Sequence, residues 1–97
     1  MKKYVNGHRF NEHHLPGVRV VIDTGDYLSF MQLWYHIPHP SWNPTQNSES
    51  VCHVVKNGTP GIIVSRIFKH DYTWFNVMLN DGSFGWTDQP HRLKVVT

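Results

Sequence analysis

One cysteine, Cys52, stands in a chain of 97 residues. A lone thiol excludes an internal disulfide and a cysteine-only zinc site, and it suits a reducing compartment. Charge is also scarce. Charged residues make up 16% of the chain, too few for long solvated helices laced with ion pairs. Nine Lys and Arg face seven Asp and Glu, and no basic run exceeds two residues, so steering toward nucleic acid is not announced. No apolar run approaches the ~20 residues of a membrane-spanning helix, and no membrane partner is expected. Met1-Lys2-Lys3 is followed by Tyr4-Val5-Asn6-Gly7 rather than an apolar stretch. No secretory signal is therefore read, and the expected location is cytoplasmic. Phosphate-cradling glycine loops, a Ser-His-Asp context and His-Glu-x-x-His are all missing. The expectation is a non-enzyme without cofactors.

What is present is a series of strands and turns. Length predicts a single domain over residues 1–97 with one modest core. Strands are expected near 18–23, 51–56, 61–68, 72–80, 83–87 and 92–96. In the first, Val18, Val20 and Ile22 share one face and Arg19, Val21 and Asp23 the other. In the fourth, Phe75, Val77 and Leu79 point inward, which sets Trp74, Asn76 and Met78 on the outside. Asn57-Gly58 and Asp81-Gly82 spell tight turns, since glycine takes positive φ at little cost. Gly61 and Gly85 fall inside strands, where a bulge or sharp bend is expected. Asp88-Gln89-Pro90-His91 suits one 3₁₀ turn.

Residues 24–50 read as an insertion. Within it, 27–37 is apolar at either the helical or the strand period. Phe30, Leu33, Trp34 and Ile37 form a helical stripe, Ser29 and Gln32 have capping-box spacing, and only Ile37 is β-branched. This predicts a short helix at 28–36, ended by Pro38 and Pro40. Residues 38–50 form a long polar loop that carries Trp42.

The run Lys56-Asn57-Gly58-Thr59-Pro60-Gly61-Ile62-Ile63-Val64, then Trp74 to Leu79, Asp81 to Trp86 and Asp88 to Val96, resembles the SH3-like barrel superfamily. That grouping includes bacterial and phage SH3-fold proteins and KOW and Tudor modules. The resemblance covers about half of the chain. It implies an all-β fold, a small five-stranded barrel with an N-terminal extension and a long first-loop insertion. It does not imply one function. Asp23 and Asp26 sit where SH3 domains are acidic, and Trp74 sits near the third-strand start, but no Pro-Asn-Tyr-like motif precedes the last strand. The short chain is also similar in style to small accessory proteins of tailed phages.

Aromatic residues exceed the needs of one small core. Tyr72, Trp74 and Met78, with Trp42 from the loop, form the expected outer binding face beside Arg66 and Lys69. The expected function is a non-catalytic binding or adaptor protein that engages another protein. The same aromatics with Arg66, Lys69, Arg92 and Lys94 give the nucleic-acid alternative, and a homo-oligomer is a further option. The competing account packs the insertion over that face. Eight histidines are many for this length, and His13, His14, His36 and His39 are the weak metal candidates. Pro38 separates His36 from His39 and no adjacent carboxylate completes a set, so surface histidines are expected and no metal is assigned. Cys52 and His53, adjacent on a strand, should point to opposite faces. Cys52 is then a small buried hydrophobe rather than half of a nucleophile–base pair.

Overall fold

Alternation in Tyr72–Leu79 organises the molecule. Phe75 and Val77 are fully buried and Leu79 nearly so, while Asn76 and Met78 between them are only partly covered. A computed structural model describes residues 13–25, 29–38 and 52–96. They form seven strands: β1 (Arg19–Ile22), β2 (Phe30–Trp34), β3 (Cys52–Lys56), β4 (Pro60–Lys69), β5 (Tyr72–Leu79), β6 (Phe84–Thr87) and β7 (Leu93–Val95). Every pairing is antiparallel, and the order across the single sheet is β3-β2-β6-β5-β4-β1-β7. A 3₁₀ turn, Pro90–Arg92, leads into β7.

The fold is therefore all-β, with one correction. The predicted helix at 28–36 is strand β2. Met31 and Leu33 are buried while Phe30 and Gln32 are exposed, a period of two. Five register pairs with β3, from Phe30↔Lys56 to Trp34↔Cys52, settle the ambiguity that local spacing leaves open. Tertiary pairing outweighs the capping-box spacing because the ladder satisfies the backbone and buries Met31 and Leu33 together. Part of the expected insertion thus joins the sheet beside β6, and the six strands expected along the chain become seven.

The core is one cluster of buried side chains. Val20, Ile22, Met31, Leu33, Val55, Ile63, Phe75, Val77, Leu79 and Leu93 form it. Gly85 matters through the space it leaves. A Cβ there would overlap Leu33 Cβ and lie 3.0 Å from His53 Nε2. The vacated volume lets the His53 ring reach across to donate to the Phe84 carbonyl at 3.1 Å, while it stacks on Tyr35 at 5.1 Å. The expected irregularity of β4 is a register shift between Ile63 and Ser65, beyond Gly61 itself.

Turns carry the connections. At Asp81-Gly82 the Gly82 N–H donates to Leu79 O and the Leu79 N–H to Ser83 O. Gly82 has φ 88°. This is a three-residue hairpin whose last position needs a left-handed residue. Asp81 Oδ1 accepts from both the N–H and the hydroxyl of Ser83, which holds its carboxyl below the usual range. The β4–β5 turn uses His70 and Asp71 at φ 55° and 69°, a two-residue type I′ arrangement built without glycine. The turn after β3 bonds both to the end of β1 and to the residue before β2. Gly58 N–H donates to Ile22 O, Asn57 N–H to Ser29 O, and Asn57 Oδ1 accepts from Thr24 N–H.

Candidate functional site

The sheet splits at one place. β2 pairs with β3 along its whole length but meets β6 only at Trp34↔Trp86. Toward Phe30 it diverges, and a cleft of about 680 Å³ opens between β2, the end of β6 and the tip of the β4–β5 hairpin. That volume falls in the range of ordinary ligand sites. Phe30 and Trp34 line one wall, His70 and Tyr72 the other, and Trp74 contributes between them. Thr87, Asp88, Gln89 and Arg92 supply a polar rim from β6 and the 3₁₀ turn.

Trp74 corrects the expected outer face. It is 5% exposed, not an open platform. It does leave the core side of β5, as alternation requires, but β2 has joined the sheet and walls the space it faces. Its Nε1–H is buried and finds no acceptor among the described residues. Tyr72 is exposed and lies beside it in the cleft. Met78 does not join them. It lies farther along β5 in a second hollow with Ile62 and Val96. Arg66 and Lys69 are exposed on the projecting hairpin. Trp42 lies outside the described residues.

The rim has distinct electrostatics. Asp88 is half-buried, and desolvation holds its carboxyl above the ordinary range, only partly countered by its own backbone and by the charge of His91. Arg92 is committed to the fold. Its Nη1 donates to Thr24 O at 2.6 Å and its Nε to Gln89 Oε1 at 3.1 Å. Lys94 lies on β7, 4.0 Å from an Asp23 carboxylate oxygen, an exposed pair of small value. The basic residues near the C-terminal end thus divide between the sheet edge and the 3₁₀ turn, apart from Arg66 and Lys69.

The histidines part company as well. His14, expected on the surface, is 4% exposed. Its Nε2–H donates to the Leu93 carbonyl at 2.6 Å and its ring meets Phe75 edge-on at 5.7 Å. It anchors the segment before β1 onto the core, because a buried imidazole needs a partner and Leu93 O offers one. His13 and His36 are exposed, and His39 lies outside the described residues. Among the described residues no group of three or more His, Cys, Asp or Glu side chains converges on a metal position. Cys52 is buried, which pushes its thiol up, and His53 alternates to the other face. No known protein identifies the site: no family model, curated protein or solved structure matches this chain.

Phe30, Trp34 and Asp88 lie outside the site the sequence suggests. Phe30 and Trp34 were visible only as parts of an apolar stripe, since their roles depend on β2 being a strand. Asp88 reads in the sequence only as the start of the 3₁₀ turn, because its character comes from burial in the fold.

Proposed function

We propose that the protein is a non-catalytic, cytoplasmic adaptor of SH3-like barrel type that binds an extended segment of another protein in the cleft between β2 and β5–β6. The observation that carries this reading is the cleft itself, walled by Phe30, Trp34, Tyr72 and Trp74 with a half-buried carboxylate on its rim. Aromatic side chains give large contact areas at low entropic cost. A peptide carbonyl entering the cleft would give Trp74 Nε1–H the acceptor it lacks among the described residues. The barrel assignment draws on β1, β4, β5, β6, the 3₁₀ turn and β7, which follow one another in the order that the resemblance implies.

Selection from a displayed library of random peptides tests this. Tyr72→Ala, at an exposed position, should weaken the selected peptides at least tenfold with the melting temperature unchanged. Failure to select any peptide, or binding indifferent to Tyr72→Ala and Asp88→Asn, would overturn the reading. Binding of a single-stranded oligonucleotide that is lost on Arg66→Ala and Lys69→Ala, in place of peptide binding, would favour nucleic acid instead.

A further inference from the structure

β6 fills the line between β2 and β5 only as far as Thr87, then leaves the sheet toward the 3₁₀ turn at Pro90. The cleft continues that line, with Phe30, Met31 and Gln32 of β2 on one side and Tyr72 and Trp74 of β5 on the other. The hydrogen-bond pattern decides what β2 presents there. Asn57 N–H donates to Ser29 O at 2.9 Å, so Ser29 and Asn57 form a bonded pair at the start of the β2–β3 ladder. Bonded and non-bonded pairs alternate along an antiparallel ladder. Met31↔Val55 and Leu33↔His53 are therefore bonded, and the N–H and C=O of Phe30, Gln32 and Trp34 point away from β3. The other flank agrees. Leu79 N–H donates to Ser83 O, so Leu79, Val77 and Phe75 turn their groups toward β6 and Asn76 does not. Trp86, opposite Asn76, then directs its own groups at β2, where Trp34 meets it. Beyond that pair β6 has diverged. No backbone group among the described residues bonds Phe30 or Gln32 on the cleft side.

We infer that the segment bound in the cleft enters as a β-strand, pairing its main chain with the inner edge of β2 on the line that β6 vacates. This rests on the cleft reading above and specifies its mode of recognition. Phe30 and Gln32 together offer two N–H and two C=O groups, and an extended chain meets them with amides two residues apart. The side chains around this edge favour the same mode. Asn76, Trp86 and Trp34 share one face of the sheet, and a period of two adds Tyr72, Trp74, Phe30 and Gln32 to it. Every second side chain of the added strand lies on that aromatic face. Selected peptides should therefore prefer apolar residues at alternate positions and lack proline where their amides meet β2.

Amide hydrogen exchange read by NMR tests this on the whole chain. Without peptide, the amides of Met31 and Leu33 should exchange slowly and those of Phe30 and Gln32 rapidly. Saturating peptide should slow Phe30 and Gln32 by at least about tenfold. N-methylation along the peptide should find two sensitive amides, two residues apart, each weakening binding about tenfold as expected for a bond left unmade. Phe30 and Gln32 amides already slow without peptide would overturn the inference, since the edge would be occupied. Peptides that depend on Tyr72 yet leave Gln32 exchanging rapidly, or tolerate methylation at every amide, would overturn it while the cleft reading stands. A cleft that selects no peptide would overturn both.

Discussion

The β4–β5 hairpin is one ladder with two environments. At its base, Gly61↔Leu79 and Ile63↔Val77 lie between β1 and β6. At its tip, the pairs from Ile67↔Trp74 to Lys69↔Tyr72 have no flanking strand among the described residues. Two phenylalanines show the consequence. Phe75 at the base is fully buried, and Phe68 at the tip is 71% exposed. Strand propensity treats these residues alike; the neighbours decide which becomes core and which is presented. A two-stranded ribbon alone is marginal in water. The tip therefore borrows its order from the base.

The strongest way to break the contrast is at the base. Phe75→Ala should cost about 3–5 kcal/mol in urea unfolding, the range for removing a buried aromatic ring. That loss is a large share of the stability of a domain of this size, about 5–15 kcal/mol. Next comes Gly85→Ala on the adjoining strand. The added methyl meets Leu33 Cβ, part of a buried side chain on a paired strand that cannot swing away. The expected loss is about 3 kcal/mol, the upper part of the usual overpacking range. Gly82→Ala is the control. It meets no neighbour but has φ 88°, so its smaller loss, about 1 kcal/mol, comes from conformation alone.

The same contrast separates what the sequence could disclose from what it could not. Phe75, Val77 and Leu79 alternate with partly covered residues, and Asp81-Gly82 marks the turn that follows, so β5, β6 and the hairpin between them are legible locally. β2 is not. Phe30, Met31, Gln32, Leu33 and Trp34 satisfy either period, and the deciding fact is β3, some twenty residues away. The cleft inherits this dependence. Tyr72 and Trp74 can be named from their strand, but the wall that turns Trp74 from an open face into a buried one is β2. Phe30, Trp34 and Asp88 gain their place only once that pairing exists. His14 escaped for a related reason, since its partner is a carbonyl 79 residues later.

Asp88 and Asp81 sharpen the comparison through pH. Asp88 is destabilised as an anion by burial, so its carboxyl holds its proton more tightly in the folded chain than in the unfolded one. Between the two values the folded state binds more protons, and stability falls as pH rises through that window. Asp88→Asn should remove this loss. The variant should match the wild type at low pH and exceed it above the carboxylate range in melting temperature. Asp81 has the opposite sign. Its bonds from Ser83 lower it, so that contribution is present above the unfolded value and fades as pH falls through the folded one. Asp81→Asn should flatten the acid limb of the stability profile rather than the neutral one.

The smallest effects belong to the tip. His70 and Asp71 occupy left-handed backbone at both central positions of the turn, where Asn-Gly is the favoured pair. The double substitution His70→Asn with Asp71→Gly should gain about 0.5–1 kcal/mol, because the left-handed conformation carries less steric cost there. Phe68→Ala should move stability by less than about 0.5 kcal/mol, as expected for an exposed position away from caps and cores. A loss near that of Phe75→Ala would mean that the tip is part of the core after all, and that exposure does not divide this hairpin. A negligible change in unfolding leaves Phe68 available for contacts with another molecule. If the peptides selected for the cleft extend past Tyr72, Ile67→Ala, on the face shared by Trp74 and Tyr72, should then weaken them while Phe75 variants act only through folding. The contrast between the two ends would in that case be functional as well as structural.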